Sequence, residues 1–330
     1  MGSTASKLEA ARQANAASLA GREALVVGAT AGIGRALAIR LARGGASVIV
    51  VGRNADAGAK VVEELNAATA AHAADATPAP KHAFLRGDMS LMRNARALAA
   101  SVAQTKSHLD YVVFCQTKAT LQGRTPTPVE GIDEKLALNF YSRVFLAREL
   151  APLLAKSPSK DARVMSVLSA GVHAPYAAYA EDPYLERNYG QKAAADTAGF
   201  YNDLWVDWAA ADAKTGGGSP VTFVHAAPGF VATNWGTDMP LAVRGTIRCL
   251  QAVGGRDAMD CAELIGQGLL SPALKGGARY IGEYGQEVPV TKLHDAAAVA
   301  SVKQATLALI DKAVSAAALP AESDADAASS

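Results

Sequence analysis

Short apolar segments alternate with longer helical ones along most of the chain, and this alternation restricts the possible folds more than any other feature. The segment "REALVVGATAGIGRALAIRLARGGASVIVVGRN" starts the series with strand, glycine turn, helix and strand. Strands without polar positions must be covered on both faces, as in a parallel sheet between helical layers. Right-handed crossovers then predict an α/β fold, a single Rossmann-type doubly wound parallel sheet with helices on both faces.

The remaining elements follow the same order. Apolar segments near 82–86, 110–115, 162–167 and 221–225, and "GARYIG" near 280, predict further strands, with helices near 55–70, 90–105, 130–156 and 188–212. No linker divides the chain. We expect a helical extension over 1–20, a dinucleotide-binding and catalytic domain over 21–290, a C-terminal helix over 291–317 and a disordered polar tail over 318–330.

The composition excludes several classes of protein. Hydrophobic residues make up 50% of the 330 residues, charged residues 19%, and the net charge is +1. The sequence contains no basic stripe, so nothing in it predicts nucleic-acid binding. The three cysteines are far apart and show no metal spacing, which favours buried thiols in a reducing, cytoplasmic setting. No apolar run approaches the roughly 20 residues of a membrane span.

The N-terminal sequence "MGSTASK" fits the N-myristoylation pattern, with Gly2 exposed after removal of Met1 and Ser6 at the required position. Two interpretations stand. An acylated Gly2 would give reversible peripheral membrane contact, whereas the match is accidental if this is merely a disordered start rich in small residues.

Three glycines mark a candidate phosphate-binding turn. Gly28, Gly32 and Gly34 stand in "GATAGIG", directly after a strand and before a helix. Glycine allows a tight turn, close approach of backbone N–H groups to a pyrophosphate, and close packing of helix on strand. This context predicts a dinucleotide site.

Arg53 indicates which dinucleotide binds. An acidic residue that holds a ribose 2′-hydroxyl is expected at the end of the second strand, but "VIVVGRN" has Gly52 and Arg53 there. A guanidinium binds a phosphate, which a carboxylate would repel. The sequence therefore favours NADP(H) over NAD(H), unless Arg53 is only a solvated surface residue.

Five segments resemble the short-chain dehydrogenase/reductase family in order and spacing over residues 22 to 285. They are "GATAGIG", "GDMS", "ALNFYSRVFLARELAPLL", "RVMSVLSAG" and "HAAPGFVATNW". The chain is most similar to divergent fungal-type oxidoreductases with a long segment before the catalytic tyrosine. The resemblance implies a catalytic set of Asn139, Ser169, Tyr189 and Lys192. It implies that Tyr189 and Lys192 also contact the cofactor, together with Gly28, Thr30, Gly32, Ile33, Gly34, Arg53, Asp88, Met89, Gln116, Pro228, Gly229, Val231 and Thr233.

The chain departs from the family pattern at its catalytic helix. The tyrosine and lysine in "NYGQK" are three residues apart instead of four, and the strand-four "NNAG" of the family is replaced by "FCQT". On a helix both spacings keep two side chains on one face, and a nearby cation would make tyrosine a useful acid. Tyr189–Lys192 is thus either the catalytic pair in a displaced form or a surface pair at a helix start.

Two functions follow. The first is an NADP(H)-dependent oxidoreductase that moves hydride between nicotinamide and a ketone or secondary alcohol, and the second is a dinucleotide-binding sensor or scaffold without turnover. His173, Tyr176 and Tyr179 either line a substrate pocket or pack within their loop. Trp235 and Met239 would form an apolar lid, which suggests a hydrophobic small-molecule substrate. Members of the family often form homo-oligomers, so self-association is a further expectation.

Overall fold

The computed structural model describes residues 3–70, 79–215, 220–233, 236 and 239–316. Gly2, Trp235 and the expected tail over 318–330 lie outside the described residues.

Within the described residues, seven parallel strands form one sheet. They are β1 Glu23–Val27, β2 Ser47–Gly52, β3 Ala83–Arg86, β4 Tyr111–Phe114, β5 Ala162–Val167, β6 Val221–Ala226 and β7 Gly277–Ile281. Their order in the sheet is β3-β2-β1-β4-β5-β6-β7. Successive strands are added toward one edge of the sheet from β1 to β3 and toward the other edge from β4 to β7, so the strand order reverses between β1 and β4. Ligands bind at such switch points in doubly wound folds. The predicted fold class is confirmed.

Helices cover both faces of the sheet. They are α1 Thr4–Ala14, α2 Gly32–Arg43, α3 Ala55–Thr69, α4 Met92–Thr105, α5 Glu134–Leu136, α6 Ser142–Ala155, α7 Gln191–Thr215, α8 Leu241–Gly254, α9 Ala258–Ile265, α10 Gln267–Leu270 and α11 Ala296–Ala316. A π-helical segment, Ala137–Tyr141, joins α5 to α6, and a 3₁₀ turn spans Pro272–Leu274.

Alternate residues of the strands supply two separate cores. Leu25 and Val27 of β1 belong to the core that includes residues of α4, α6, α7 and α11, whereas Ala24 and Val26 belong to the one beneath α2, α3 and α9. Side chains alternate across a strand, so a strand that is apolar throughout serves both layers. This is the physical reason that the alternation of segments predicted the architecture.

The helix expected from residue 188 begins at Gln191 instead. The preceding turn is held by Asp182, whose carboxylate accepts hydrogen bonds from the backbone N–H groups of Glu186, Arg187 and Asn188. Burial alone would raise the pKa of Asp182. These hydrogen bonds, with the one from the Tyr176 hydroxyl, outweigh burial and lower the pKa. Tyr189 therefore lies before the helix, and the helical spacing argument does not apply to it.

None of the helices within the described residues combines the length and the hydropathy needed to cross a membrane.

Candidate functional site

A cavity of about 690 Å³ lies at the carboxyl ends of the central strands. Thirteen residues that the sequence assigned to cofactor binding line it. They are Gly28, Thr30, Gly32, Ile33, Gly34, Arg53, Asp88, Met89, Gln116, Pro228, Gly229, Val231 and Thr233. These residues come from five separate segments, and the parallel sheet brings them together because its strand ends share one edge.

The glycine turn has no room for a side chain at Gly28 or at Gly34. Gly28 has a φ of +79°, and a Cβ there would lie 2.4 Å from the backbone nitrogen of Gln116. A Cβ on Gly34 would lie 2.3 Å from the carbonyl oxygen of Gly28. The turn therefore runs directly against β4 and the start of α2, as a loop that cradles phosphate must.

The start of α2 is open to an anion. Its N-cap residue, Ala31, makes no side-chain hydrogen bond to the first turn, and the residues from Thr30 to Gly34 line the cavity. The partial positive charge of a helix N-terminus and its unpaired N–H groups favour a phosphate at this position. The local chemistry thus fits the pyrophosphate of a dinucleotide.

Arg53 borders the same cavity and is exposed. Within the described part of the chain its guanidinium has no hydrogen bond or ion pair, whereas the nearby Arg35 is bound by both oxygens of Glu64 at 2.6 Å. Arg53 is therefore available to a ligand and Arg35 is not. A free guanidinium at the end of β2 fits a phosphate on the adenosine ribose.

Asp88 and Met89 form the wall beyond β3. The Asp88 carboxylate accepts a hydrogen bond from the Ser90 N–H at 3.0 Å, and its carbonyl accepts one from the Asn94 amide at 3.0 Å. The Met89 side chain is buried. This part of the cavity is fixed and apolar on one side, which suits a flat aromatic base.

The structure does not bring Tyr189 and Lys192 together at the cavity, and neither residue lines it. The Tyr189 hydroxyl lies 3.4 Å from the Asp133 carboxylate, and the centre of the Tyr189 ring lies 5.3 Å from the Lys135 ammonium. Burial and the negative charge of Asp133 raise the pKa of Tyr189. A phenol in this setting holds its proton more tightly, which is the opposite of what a proton-donating pair requires.

The Lys192 side chain is 80% exposed and forms an ion pair with Asp196 one helical turn later. An exposed pair of this kind contributes little to stability. Lys192 therefore lies on the surface at the helix start, as the second interpretation of the sequence has it, whereas Tyr189 is half-buried with its hydroxyl against Asp133.

Ser169 and Asn139 are close to the cavity's strands but do not line it. The Ser169 hydroxyl is buried without a hydrogen-bond partner in the described residues, and it faces Gly199 of α7, where a Cβ would lie only 2.5 Å away. The Asn139 carbonyl accepts a hydrogen bond from the Asn202 amide at 2.9 Å. None of the four residues expected to form a catalytic set therefore lines this cavity.

The three loop residues expected to line a substrate pocket do not reach this cavity either. His173 is buried beside Asp203 at 3.2 Å, the Tyr176 hydroxyl donates to the carbonyl of Asp182 at 3.1 Å, and Tyr179 packs near Phe200. The Tyr176 bond lies within the loop, as the alternative expectation has it, whereas His173 and Tyr179 pack against α7.

One residue beneath the cavity gave no signal in the sequence. Arg143 is completely buried, and its guanidinium donates to the carbonyls of Leu138, Val167 and Gln116 and to the Ser166 hydroxyl, at 2.6 to 3.1 Å. Burial lowers the Arg143 pKa to about 10. This cation ties the carboxyl ends of β4 and β5 to the π-helical segment, and only the three-dimensional fold reveals that role.

The family model for the short chain dehydrogenase matches residues 22–183, which contain the glycine turn and the first five strands. The chain belongs to the short-chain dehydrogenase/reductase family. The expectation drawn from the five motif segments is confirmed at this level.

Curated relatives cover part of the chain. An oxidoreductase of Emericella nidulans is 32% identical over 214 residues, which are 64% of this chain and 59% of the relative. A rhamnolipids biosynthesis 3-oxoacyl-[acyl-carrier-protein] reductase of Pseudomonas aeruginosa is 33% identical over 48% of this chain and 58% of its own length. The chain thus spans less than two thirds of the length of these relatives.

Solved structures share the fold. A putative uncharacterized protein from Mycobacterium paratuberculosis superposes with a TM-score of 0.63 at 23% identity, covering 89% of this chain and 95% of that one. The Pseudomonas aeruginosa RhlG/NADP active-site complex superposes with a TM-score of 0.57 at 23% identity, covering 81% and 96%. At this level of identity the likeness extends to the fold alone.

Proposed function

We propose that the protein is an NADP(H)-dependent oxidoreductase that transfers hydride between nicotinamide and a ketone or secondary alcohol of a hydrophobic small molecule. The observation that carries the proposal is the cavity itself. It combines a turn closely packed at Gly28 and Gly34, a helix start without a side-chain cap, and an arginine without a partner among the described residues. Each of these features suits one part of NADP(H).

The residues would divide the cofactor between them. The turn from Gly28 to Gly34 would hold the pyrophosphate, and Arg53 the 2′-phosphate. Asp88 and Met89 would border the adenine, and the segment from Pro228 to Thr233 the nicotinamide end. When bound, the cofactor supplies or accepts the hydride.

The choice of NADP(H) over NAD(H) has two supports. The first is the electrostatic character of the β2 end, where Arg53 is free and Asp88, beyond β3, is the one acidic side chain among the described residues that line the cavity. The second is that two structural neighbours are complexes with NADP, the RhlG complex described above and a 3-oxoacyl (acyl-carrier-protein) reductase from Agrobacterium tumefaciens.

The hydrophobic substrate is supported by the activities of relatives. They include a 3beta-hydroxysteroid dehydrogenase of Mediterraneibacter gnavus, 32% identical over 53% of this chain, and the rhamnolipids reductase described above. In this chain Phe230 lines the cavity, and its side chain is exposed.

A second candidate function is dinucleotide binding without turnover, as in a sensor or scaffold. It is favoured by the placement of Tyr189 and Lys192, which lie away from the cavity and have partners of their own. The roles of Asn139, Ser169, Tyr189 and Lys192 in proton transfer are therefore part of the proposal that experiment must decide.

Consumption of NADPH with a panel of hydrophobic ketones, followed by absorbance, separates the two functions. The oxidoreductase predicts turnover of at least one ketone, with inhibition by NADP. The assay is repeated with Tyr189→Phe and, as a control that removes another tyrosine hydroxyl away from the cavity, Tyr184→Phe. Tight NADPH binding without turnover across the panel would favour the sensor.

Acylation of Gly2 and self-association stay predictions. Mass spectrometry of the N-terminus after expression in a eukaryotic host tests the first, and sedimentation of the purified protein tests the second.

A further inference from the structure

Two buried histidines share one buried carboxylate behind the strands that line the cavity. His173 follows β5, His225 lies in β6 and Asp203 lies on α7. Asp203 Oδ1 is 2.6 Å from His225 Nδ1, and Asp203 Oδ2 is 3.2 Å from His173 Nε2. The side chains of all three are at most 1% exposed. Among the described residues no group of side chains has the arrangement of a metal site.

The hydrogen bonds determine where the protons lie on His225. The backbone N–H of Ser169 points at His225 Nε2 at 3.0 Å, so this nitrogen is the acceptor and carries no proton. The ring proton is therefore on Nδ1, where it is donated to Asp203. His225 is neutral in this arrangement.

His173 faces acceptors on both sides. Its Nδ1 is 2.8 Å from the Ser169 carbonyl oxygen, so this nitrogen carries a proton and donates it. Its Nε2 lies 3.2 Å from Asp203 Oδ2, within ion-pair distance but without the alignment of a hydrogen bond, and Oδ2 has no hydrogen-bond partner among the described residues. The Thr291 hydroxyl is 3.5 Å from Nε2, too far to form a strong hydrogen bond with it. A buried carboxylate at this distance favours a second proton on Nε2, which makes the ring an imidazolium.

The surroundings shift the pKa values of the two histidines in opposite directions. Burial opposes a charge on either ring, but the attraction of Asp203 and the hydrogen bond to the Ser169 carbonyl outweigh burial at His173 and raise its pKa, with Asp196 adding in the same direction. Burial dominates at His225 and lowers its pKa, assisted by the charges of His173 and Arg143. For Asp203, burial is outweighed by the hydrogen bond from His225 and the contact with His173, which lower its pKa to about 2. One shared carboxylate thus pairs with one charged and one neutral ring.

Together the two rings hold both backbone groups of a single residue. We propose that imidazolium His173 and neutral His225, joined through Asp203, form a clamp on the Ser169 main chain, and that this clamp makes ligand binding in the cavity depend on pH. In this account the two histidines are positioning residues, because neither lines the cavity.

The clamp is connected to the cavity through its neighbours in the chain. Val167 and Leu168, just before Ser169, line the cavity, and so do Pro228 and Gly229, which follow His225. Gly199 of α7 packs against the clamp, since a Cβ there would lie 2.6 Å from the His173 ring. A loosened clamp would therefore free the ends of β5 and β6, two strands that shape the proposed nicotinamide side.

The clamp is complete only within a range of pH around the ordinary histidine value of about 6.5. Above that value, as pH passes the raised pKa of His173, the ring loses a proton and must give up one of its two acceptors. Below it, as pH passes the lowered pKa of His225, Nε2 gains a proton and can no longer accept from the Ser169 N–H.

The protonation states can be measured without any ligand. NMR of protein with ¹⁵N-labelled histidine should show both ring nitrogens of His173 protonated at pH 6.5, the ordinary histidine value, and His225 protonated at Nδ1 alone. His173→Gln assigns the signals, and Asp203→Asn should shift the His173 titration to lower pH. A neutral His173 at pH 6.5 would overturn the proposal.

The effect on the cavity rests on the proposed function and is measured by NADPH titration between pH 6.5 and pH 9. The affinity of the wild type should fall by at least about fivefold as His173 titrates, the lower end of usual couplings between sites. His173→Gln should remove this component and leave that of the cofactor phosphate. His294→Gln, which breaks a half-buried histidine–aspartate pair that does not line the cavity, should keep it.

The outcomes separate the two claims. Equal pH dependence in the wild type and His173→Gln would refute the coupling even if NADPH binds. Absence of NADPH binding at every pH would refute the proposed function. NMR would then decide whether the clamp exists. A protonated His173 together with a Ser169 amide protected from exchange would support the clamp, and a rapidly exchanging Ser169 amide would refute it.

Discussion

Replacement of Arg143 by methionine tests whether a buried cation organises the floor of the cavity. The guanidinium makes four hydrogen bonds, three of them to main-chain carbonyls. A buried acceptor that loses its donor costs about 1 kcal/mol at the low end, which gives about 3 kcal/mol for the three carbonyls. The Ser166 hydroxyl keeps Asn202 as a partner.

The burial of a charge works in the opposite direction. Arg143 has no carboxylate partner among the described residues, so its removal recovers part of the cost of desolvating a cation. Methionine fills a similar volume and needs no hydrogen bond. We therefore expect Arg143→Met to lower the free energy of unfolding by about 2 kcal/mol, somewhat less than the hydrogen bonds alone suggest.

Urea denaturation of the two proteins measures this difference, and NADPH titration measures the consequence for the cavity. Gln116 and Val167 line the cavity and accept from Arg143, so the affinity for NADPH should fall together with stability. Arg163→Met is the matched control, because Arg163 is also buried but pairs with Asp161 at the opposite end of β5. It should destabilise the protein without changing the affinity. An Arg143→Met protein with unchanged stability and unchanged affinity would refute the reasoning.

Three further substitutions give separate tests. Gly34→Ala puts a Cβ 2.3 Å from the Gly28 carbonyl, so NADPH affinity should fall by at least about tenfold in calorimetry, while Gly245→Ala, at a site with open space, should leave it unchanged. Tyr189→Phe should stabilise or leave unchanged the folded protein above pH 7 in thermal unfolding, since its hydroxyl makes only a long bond to Asp133; a loss of several degrees would show a stronger bond than the structure contains. Asp182→Asn should lower the free energy of unfolding more near neutral pH than in acid. The reason is that a carboxylate with a lowered pKa gives stability that is present above about pH 4 and lost as pH falls. Urea unfolding that shows the same difference between the two proteins at pH 3 and at pH 7 would contradict this.

The fold and the cofactor cavity could be predicted from the sequence because both depend on local signals. Strand ends lie next to the residues they deliver, so Gly28, Arg53 and Asp88 could be placed at one edge once the strands were identified. A turn with no space for a Cβ leaves glycines in the sequence, and these can be read directly.

The expected catalytic arrangement depended on the course of the chain between Ser169 and Tyr189, and no local signal specifies it. The three backbone hydrogen bonds to Asp182 hold this stretch as a turn and delay α7 until Gln191. Arg143 and the clamp of His173, Asp203 and His225 were missed for a related reason. Their partners lie on other elements, far along the chain, and a lone arginine or histidine carries no pattern of its own.

Parallel calorimetric titrations with NADPH and NADH decide whether the cavity holds NADP(H) with Arg53 on the 2′-phosphate. The wild type should bind NADPH more tightly, and Arg53→Ala should weaken NADPH by about 10- to 100-fold, as expected for loss of charge-assisted hydrogen bonds, while leaving NADH nearly unchanged. Arg43→Ala, which removes another exposed cation at the far end of α2, should alter neither affinity. Equal affinity of the wild type for the two dinucleotides, or an Arg53→Ala protein that still prefers NADPH, would contradict the account.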